Sequence, residues 1–270
     1  MPIVHAIVLG IVQGLTEFLP VSSSGHLRLV PWLFGWNDFA DAPHLEQTFD
    51  VALHIGTLVG AVAYFRRDLV RYAVAGFTDR SSPDGRLAWL LLASSIPAAI
   101  TGALLEETFA DLGEREWVIG VLLVVFGLVL LVADRLGGTR VRTDYGPRDA
   151  LLTGVAQALA LTPGVSRSGV TITTARWLGF DRDAAARLSF LMSLPIIAGA
   201  IAYKSLDVVG DFPPGFTAPF VWGIVASGVT GWVAVWATLR VVRTRTFSPF
   251  VAYRVAVGLG VILLAASSLR

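Results

Sequence analysis

The sequence predicts an all-α polytopic membrane protein with six transmembrane helices and two re-entrant helix hairpins, arranged as an inverted-topology repeat in a single membrane domain, residues 1–270. Three observations carry this prediction. Only 15% of the 270 residues are charged and 54% are hydrophobic, whereas a soluble domain carries about 25% charged residues. Six apolar segments are long enough to cross about 30 Å of hydrocarbon. Two further apolar stretches are broken by Pro, Gly and Ser, and they share a motif.

The six spans are predicted at residues 49–65, 87–105, 117–133, 184–206, 217–239 and 249–268. Each contains Gly, Ser or Thr among Leu, Val and Ala, which lets helices pack closely in lipid. Trp and Tyr stand near several of the ends, as aromatic side chains do at membrane interfaces. The membrane bilayer is therefore the predicted environment of the whole chain.

The two broken stretches are too short to cross the bilayer in either half. The first, residues 3–34, is interrupted at Pro20, and the second, residues 151–178, at Pro163. Each half holds roughly ten to 16 residues, so we expect each stretch to enter and leave the membrane on one side. Non-helical backbone at membrane depth requires protein or a polar cavity around it, and the polar residues stand at these breaks.

Basic and acidic loops alternate along the chain and set the predicted orientation. Arginines follow the first, third and fifth spans, whereas acidic residues precede the first span and follow the second and fourth. The positive-inside rule therefore places the basic loops in the cytoplasm and both termini outside. The alternation holds only if both broken stretches are re-entrant, because a single crossing there would reverse every later loop.

The two broken stretches belong to an internal repeat. Residues 13–26 read QGLTEFLPVSSSGH, residues 157–169 read QALALTPGVSRSG, and GAVAY at 60–64 recurs as GAIAY at 199–203. Repeat one is predicted over 1–135 and repeat two over 148–270, each a hairpin followed by three spans. Because three is odd, the copies have opposite orientation and the hairpin tips converge near the midplane, as in many transporters.

Glu17 lies in apolar sequence and must face a polar cavity or a partner, because a carboxylate is costly in lipid. A structural ion pair or helix cap, a metal ligand and a general base are the alternatives. Gln13 precedes it by one helical turn on the same face. The oxygens of Gln13 and Glu17 suit a hard divalent cation, Mg²⁺ or Ca²⁺, held together with phosphate and water.

Each break is predicted to start a new helix, whose free N–H groups and positive dipole end bind anions. Hydroxyls add donors, and Gly lets the backbone come close to the ligand. The second start also carries Arg167, whose planar fork suits phosphate oxygens. The two starts together therefore predict a site for a phosphate or diphosphate. The predicted substrate-binding residues are Ser22, Ser24, Gly25, Ser166, Ser168 and Gly169.

His26 follows the first turn directly and lies close to the serines and to Glu17 in sequence. Together they supply a nucleophile, a base and an orienting acid. Ser23 as nucleophile, His26 as nucleophile, and direct attack by water all remain open. His54, in the first span, is a weaker candidate for the same cavity.

At these residues the chain resembles the undecaprenyl-diphosphate phosphatase family, also called the bacitracin-resistance protein family. The motifs that carry the resemblance are QGLTE at 13–17, PVSSSGH at 20–26, FDVALHIGT at 49–57 and PGVSRSG at 163–169. The resemblance implies six transmembrane helices and two re-entrant helix pairs. It also implies hydrolysis of the terminal phosphate of a polyprenyl diphosphate with a divalent cation, at a site reached from the outer side of the plasma membrane. By motif position, the implied catalytic set is Glu17, Ser23, His26 and Arg167.

Gln13 stands where many members of that family carry Glu, which leaves Glu17 as the one acidic residue of the predicted metal site. The rival function is a transporter, a flippase of polyprenyl phosphate, because an inverted repeat with a midplane site is a transporter plan. A net charge of +1 gives no attraction to nucleic acid. The oligomeric state stays open between a monomer and a homodimer.

Overall fold

Eleven α-helices and one 3₁₀ turn form the described part of the chain, residues 1–40, 43–112, 115–205 and 217–267 of a computed structural model. No β-strand occurs within these residues. The helices are α1 Ile3–Phe18, α2 Ser23–Phe34, α3 Pro43–Thr78, α4 Pro83–Ala93, α5 Ile96–Leu112, α6 Glu116–Arg135, α7 Pro147–Leu159, α8 Arg167–Trp177, α9 Arg182–Ser205, α10 Thr217–Val242 and α11 Ser248–Ala266.

Six helical segments in the described residues are long and apolar enough to cross a membrane, which confirms the predicted all-α class and number of spans. They are Leu45–Thr78, Pro83–Leu105, Glu116–Arg135, Arg182–Lys204, Thr217–Val242 and Ser248–Ala266. The first belongs to a helix of 36 residues, about 54 Å long at 1.5 Å per residue. It therefore continues well past its apolar run, because charged residues end apolar sequence without ending a helix.

Parts of the predicted layout fall on residues that the structure does not describe. The predicted span ends at 206 and 268 lie outside the described residues, as do the acidic loop residues Asp41, Glu114, Asp207 and Asp211. The charge alternation of the loops therefore stays a prediction.

Two pairs of short helices stand apart from the long ones. Helices α1 and α2 are separated by residues 19–22, the first break, and helices α7 and α8 by residues 160–166, the second break. Each break ends in a serine with a positive φ, 78° at Ser22 and 73° at Ser166. That backbone conformation costs about 1–3 kcal/mol outside glycine and persists only where its surroundings impose it. The same strained turn thus begins both α2 and α8.

These two serines also cap the helices that follow them. The Ser22 hydroxyl accepts a hydrogen bond from the Gly25 amide at 3.4 Å, and the Ser166 hydroxyl accepts one from the Gly169 amide at 3.1 Å. N-cap serines stabilise a helix start by satisfying an amide that has no partner within the helix. Both helices therefore begin with the same serine cap.

Helix α10 lies between α1 and α3, and glycines set its close approach to both. A Cβ at Gly14 of α1 would lie 2.6 Å from the Ser227 carbonyl oxygen, and one at Gly56 of α3 would lie 3.0 Å from the Gly228 amide. Small residues allow such backbone contact between helices in lipid. The packing fixes α1 and α3, which both carry candidate site residues, in one rigid arrangement.

One arginine joins the start of α7 to the end of α8, far from the second break. Arg140, in the loop before α7, contacts the Asp149 carboxylate of α7 at 2.6 Å and donates to the Leu178 carbonyl after α8 at 2.9 Å. The hydrogen bond that Arg140 donates to Asp149 raises the pKa of Arg140. The start of α7 and the end of α8 are therefore held together, and the break between these helices faces the first helix pair.

Candidate active site at the two helix breaks

Glu17, near the end of α1, joins the two breaks through its carboxylate. Its Oε1 accepts a hydrogen bond from Arg167 Nη2 at 2.8 Å, and its Oε2 accepts one from the Ser23 hydroxyl at 2.6 Å. Only 5% of Glu17 is exposed. Ser23 begins α2 and Arg167 begins α8, so one buried carboxylate holds the first residue of each helix.

Ser23 and Arg167 occupy the same position in the two motif copies. Their separation, 167 − 23, equals the separation of Gln13 and Gln157, 157 − 13, which is 144 residues. One copy thus supplies a hydroxyl and the other a guanidinium at matched helix starts. The site is asymmetric in chemistry although the backbone turns are alike.

The two breaks also bind each other directly. The Ser22 hydroxyl of the first break accepts a hydrogen bond from the Gly164 amide of the second at 3.1 Å. In return, the Ser168 hydroxyl donates to the Leu19 carbonyl at 2.9 Å. These reciprocal bonds satisfy backbone groups that no helix satisfies, as buried irregular backbone requires.

A cavity of about 390 Å³ opens at this junction. Its polar side is formed by the helix starts and the carboxylate between them: Glu17, Ser22, Ser23, Ser24, Ser166 and Arg167. An apolar wall comes from α9, where Ile196, Ile197, Ala200 and Ile201 line the same space. A concave site with few convergent polar groups and an apolar wall suits an amphiphilic ligand with an anionic end.

Several predicted site residues lie beside the cavity without lining it. Gln13 is fully buried and donates from Nε2 to Glu17 Oε2 at 3.2 Å. Ser168, Gly25 and Gly169 are buried in the first turns of α2 and α8. Gln13 therefore acts on the site through the Glu17 side chain, whereas the other three residues shape the two helix starts.

His26 points away from the cavity and from Ser23. Its Nδ1 lies 2.7 Å from the Ser22 carbonyl oxygen, and its Nε2 lies 2.9 Å from the Tyr253 hydroxyl. The two rings are stacked with centroids 5.6 Å apart. With both nitrogens engaged, His26 is placed to support the first turn of α2, whereas Glu17 is placed to take the Ser23 proton.

His54 of α3 does line the cavity and faces Glu17. Its Nε2 lies 3.7 Å from Glu17 Oε2, while its Nδ1 lies 2.7 Å from the Asp50 carbonyl oxygen. Asp50 lines the same cavity one helical turn away. Helix α3 therefore contributes an imidazole and a carboxyl group opposite the two helix starts.

The predicted metal ligands Gln13 and Glu17 lie next to each other. No group of three or more His, Asp or Glu side chains in the described residues is placed to ligate a metal ion. Glu17 commits both oxygens to Arg167 and Ser23, and Gln13 Oε1 is buried with no hydrogen-bond partner. The unpartnered Gln13 oxygen is therefore free to act as a ligand, and the Gln13–Glu17 ligand pair stays a prediction.

The family model described as bacitracin resistance protein BacA matches residues 6–260 of the chain. The chain belongs to the bacitracin resistance protein BacA family. The predicted resemblance is thereby confirmed.

Among BacA-family relatives, undecaprenyl-diphosphatase of Desulforudis audaxviator is 49% identical over 263 residues, covering 97% of each chain. That of Geobacter metallireducens is 48% identical over 266 residues, with 96% of this chain and 97% of the relative covered. That of a Nocardioides species is 43% identical over 271 residues, with 97% and 96% covered.

Sequence reasoning missed two residues of α11 that hold this BacA-family site. Arg254 is fully buried and bonds carbonyls of both breaks, and Tyr253 bonds His26. A signal existed for Arg254, because an ionisable residue inside an apolar span is expensive and needs a partner or a function. Tyr253 had no such signal, since Tyr is ordinary near the end of a span.

Proposed function

We propose that the chain is an integral membrane phosphatase that hydrolyses undecaprenyl diphosphate to the monophosphate and phosphate. Such a reaction recycles the lipid carrier of cell-envelope polysaccharide synthesis. The observation that carries the proposal is the Glu17 carboxylate bridging Ser23 and Arg167 in the cavity. The names of the relatives, which cover nearly the whole chain, support the substrate.

Charge neutralisation is the main requirement of phosphoryl transfer. Arg167 lines the cavity and is the side chain there that suits bidentate contact with phosphate oxygens. The starts of α2 and α8 add two positive dipole ends aimed at the same space. The negative charge of a terminal phosphoryl group bound there is offset by Arg167 and by the two helix starts.

Ser23 is the proposed nucleophile and Glu17 the proposed base, because the hydroxyl already donates to the carboxylate at 2.6 Å. As Ser23 Oγ bonds to the terminal phosphorus, its proton passes to Glu17. The bond from that phosphorus to the bridging oxygen breaks, and the lipid monophosphate leaves with the electron pair. Water then cleaves the phosphoserine, releasing inorganic phosphate and restoring the hydroxyl.

The two other assignments have less support in the geometry. His26 as nucleophile would have to leave both the Ser22 carbonyl and the Tyr253 hydroxyl and turn toward the cavity. Direct attack by water would use the same base, Glu17, but leaves the short Ser23 contact without a role. Trapping the phosphorylated enzyme distinguishes the three.

The proposed membrane arrangement has the two helix pairs as re-entrant hairpins of an inverted repeat. Each of α1, α2, α7 and α8 has 11 to 16 residues, about 17–24 Å, which is shorter than a bilayer. Helix α1 packs on α10 as α7 packs on α5, and α6 packs on its counterpart α11. These exchanged pairings support two copies related by a pseudo-two-fold axis.

The proposed location is the plasma membrane, with both termini and the mouth of the cavity outside. Gln47, Asp50 and His54 of the cavity lie in the first third of α3, whereas Arg66 and Arg67 lie beyond them toward its other end. The cavity is therefore on the side away from this basic segment. The undecaprenyl tail stays in the bilayer against the apolar wall of α9, so only the diphosphate enters the protein.

Mg²⁺ or Ca²⁺ is proposed to arrive with the diphosphate, as part of the substrate complex. A diphosphate supplies the hard oxygens that such cations prefer. Gln13 and Glu17, which lie side by side, are the proposed protein ligands.

The test is phosphate release from undecaprenyl diphosphate by the purified chain in detergent with Mg²⁺ or Ca²⁺. The variants are Ser23→Ala and Arg167→Ala, with Ser81→Ala, in an exposed loop, as the matched control. We expect release by wild type and Ser81→Ala, and at least about 100-fold less by the other two. No release by folded wild type would favour the flippase alternative.

A further inference from the structure

We infer that Arg254 is a positioning residue that locks the two helix breaks against each other. Arg254 lies in α11 with none of its surface exposed. Its Nη1 donates to the Pro20 carbonyl of the first break at 3.1 Å. Its Nη2 donates to the Gly164 and Val165 carbonyls of the second break at 2.9 and 3.0 Å.

The same guanidinium is anchored to a third element. Arg254 Nε donates to the Leu123 carbonyl of α6 at 3.1 Å, and Nη2 lies 3.4 Å from the Leu122 carbonyl. Within the described residues, the hydrogen bonds of Arg254 all go to backbone carbonyls, and no carboxylate pairs with it. It therefore differs from a structural ion pair, whose partner is a charge.

Carbonyls at the breaks need such a donor because no helix supplies one. Proline and the strained serine turns interrupt the helices, and buried carbonyls without donors are costly where water is absent. A guanidinium offers five N–H groups in a rigid planar fork, enough to reach several carbonyls at once. Arg254 can thus hold Pro20 and Gly164 in fixed register.

Glycine at the start of α8 makes room for this guanidinium. A Cβ on Gly169 would lie 2.8 Å from Arg254 Nη1. Gly127 of α6 receives the aliphatic part of Arg254, where a Cβ would lie 3.2 Å from Arg254 Cβ. The side chain is therefore enclosed between α6 and α8, directly behind the first turn that presents Arg167.

The consequence is that Arg254 sets the distance between Ser23 and Arg167 without touching the cavity. Misplacing reacting groups by about 1 Å can cost about 100-fold in rate even when binding persists. Because Arg167 and both helix starts remain, loss of Arg254 should lower kcat far more than it raises KM. This kinetic part rests on the proposed phosphatase function, whereas the register of the breaks does not.

The test uses Arg254→Met and Arg254→Lys in the full-length protein, purified in detergent, with two readouts. Phosphate release from undecaprenyl diphosphate gives kcat and KM per folded molecule, and hydrogen exchange reports the amides of residues 19–27 and 160–170. We expect kcat to fall about 100-fold for Met and more than about tenfold for Lys, with KM changed less than about threefold. Exchange should quicken at both breaks and stay unchanged in α10.

Arg176→Met is the matched control. Arg176 is also buried and donates to the Phe180 and Asp134 carbonyls at the opposite end of α8, where it lies 3.4 Å from the Asp134 carboxylate as well. We expect its kcat per folded molecule to stay within about threefold of wild type and exchange at the breaks to be unchanged.

Unchanged exchange at the breaks in Arg254→Met overturns the inference, whatever the activity. Wild-type kcat in Arg254→Lys also overturns it, because charge alone would then suffice. A wild-type protein without phosphatase activity removes the proposed function, but the exchange comparison still decides the role of Arg254.

Discussion

Replacing Glu17 by Gln exchanges one carboxylate oxygen for an amide nitrogen. It removes the negative charge that binds the first residues of α2 and α8. Glu17 is 5% exposed, and its oxygens bind Arg167 at 2.8 Å and Ser23 at 2.6 Å. Loss of a general base typically lowers kcat by about 10²–10⁴-fold. The change also leaves the Arg167 guanidinium without its anion. For a fully buried pair, such a loss lowers the free energy of unfolding by about 3–5 kcal/mol. Because Arg167 is 14% exposed to the cavity, the lower end of that range applies.

Glu17→Gln should also make the Tm of the protein more dependent on phosphate. With Glu17 neutral, inorganic phosphate can pair with Arg167 without competition, so phosphate should stabilise Glu17→Gln more than wild type. A ligand at 100 times its Kd adds about 2.7 kcal/mol to the free energy of unfolding. The assays are phosphate release and thermal unfolding in detergent across a phosphate titration. A variant that keeps more than a tenth of the wild-type kcat, or whose Tm is less phosphate-dependent than wild type, would refute this reasoning.

Three further predictions test neighbouring parts of the site. Tyr253→Phe removes one neutral hydrogen bond to His26, worth about 0.5–1.5 kcal/mol, so kcat should fall less than about 15-fold; a loss matching Glu17→Gln would place His26 in the chemistry. Gly14→Ala brings a Cβ to 2.6 Å from the Ser227 carbonyl oxygen and should lower both Tm and activity, whereas Gly199→Ala, whose Cβ meets open space, should change neither. A chelator should abolish phosphate release yet leave the Tm of the substrate-free protein unchanged; a lower Tm would indicate a resident ion.

The sequence was sufficient to predict that Glu17, Ser23 and Arg167 belong to one site, because the cost of burying a charge can be read from the residue type and its apolar neighbours. A carboxylate and a guanidinium in apolar sequence each need a partner, and the repeated Pro–Ser–Gly motif places both at helix breaks. The six spans followed from length and apolarity for the same reason. These inferences need no knowledge of how any helix is rotated.

The direction of each side chain could not be predicted, because it depends on that rotation. His26 and Gln13 stand beside the reactive groups in sequence, yet His26 binds Tyr253, 227 residues away, and Gln13 is buried behind Glu17. His54 and Asp50 reach the cavity because close packing through Gly56 fixes α3 against α10. Such contacts are properties of the packed bundle and not of the motif.

Arg254 was predictable in part. Its charge within the last apolar span is the same kind of signal that singled out Arg167. The sequence cannot reveal its partners, since they are five backbone carbonyls on three separate elements. Backbone groups carry no sequence signature, so a residue that binds only carbonyls is recognised from structure.

The central claim is that Ser23, activated by Glu17, takes the terminal phosphate of undecaprenyl diphosphate. The most direct measurement is rapid quenching with substrate labelled in its terminal phosphate, in neutral detergent that preserves both phosphoserine and phosphohistidine, followed by peptide mapping. We expect transient label on Ser23 that decays as inorganic phosphate appears, and no label in Ser23→Ala. Label on His26, or phosphate released at the wild-type rate with no labelled protein at any time, would contradict it.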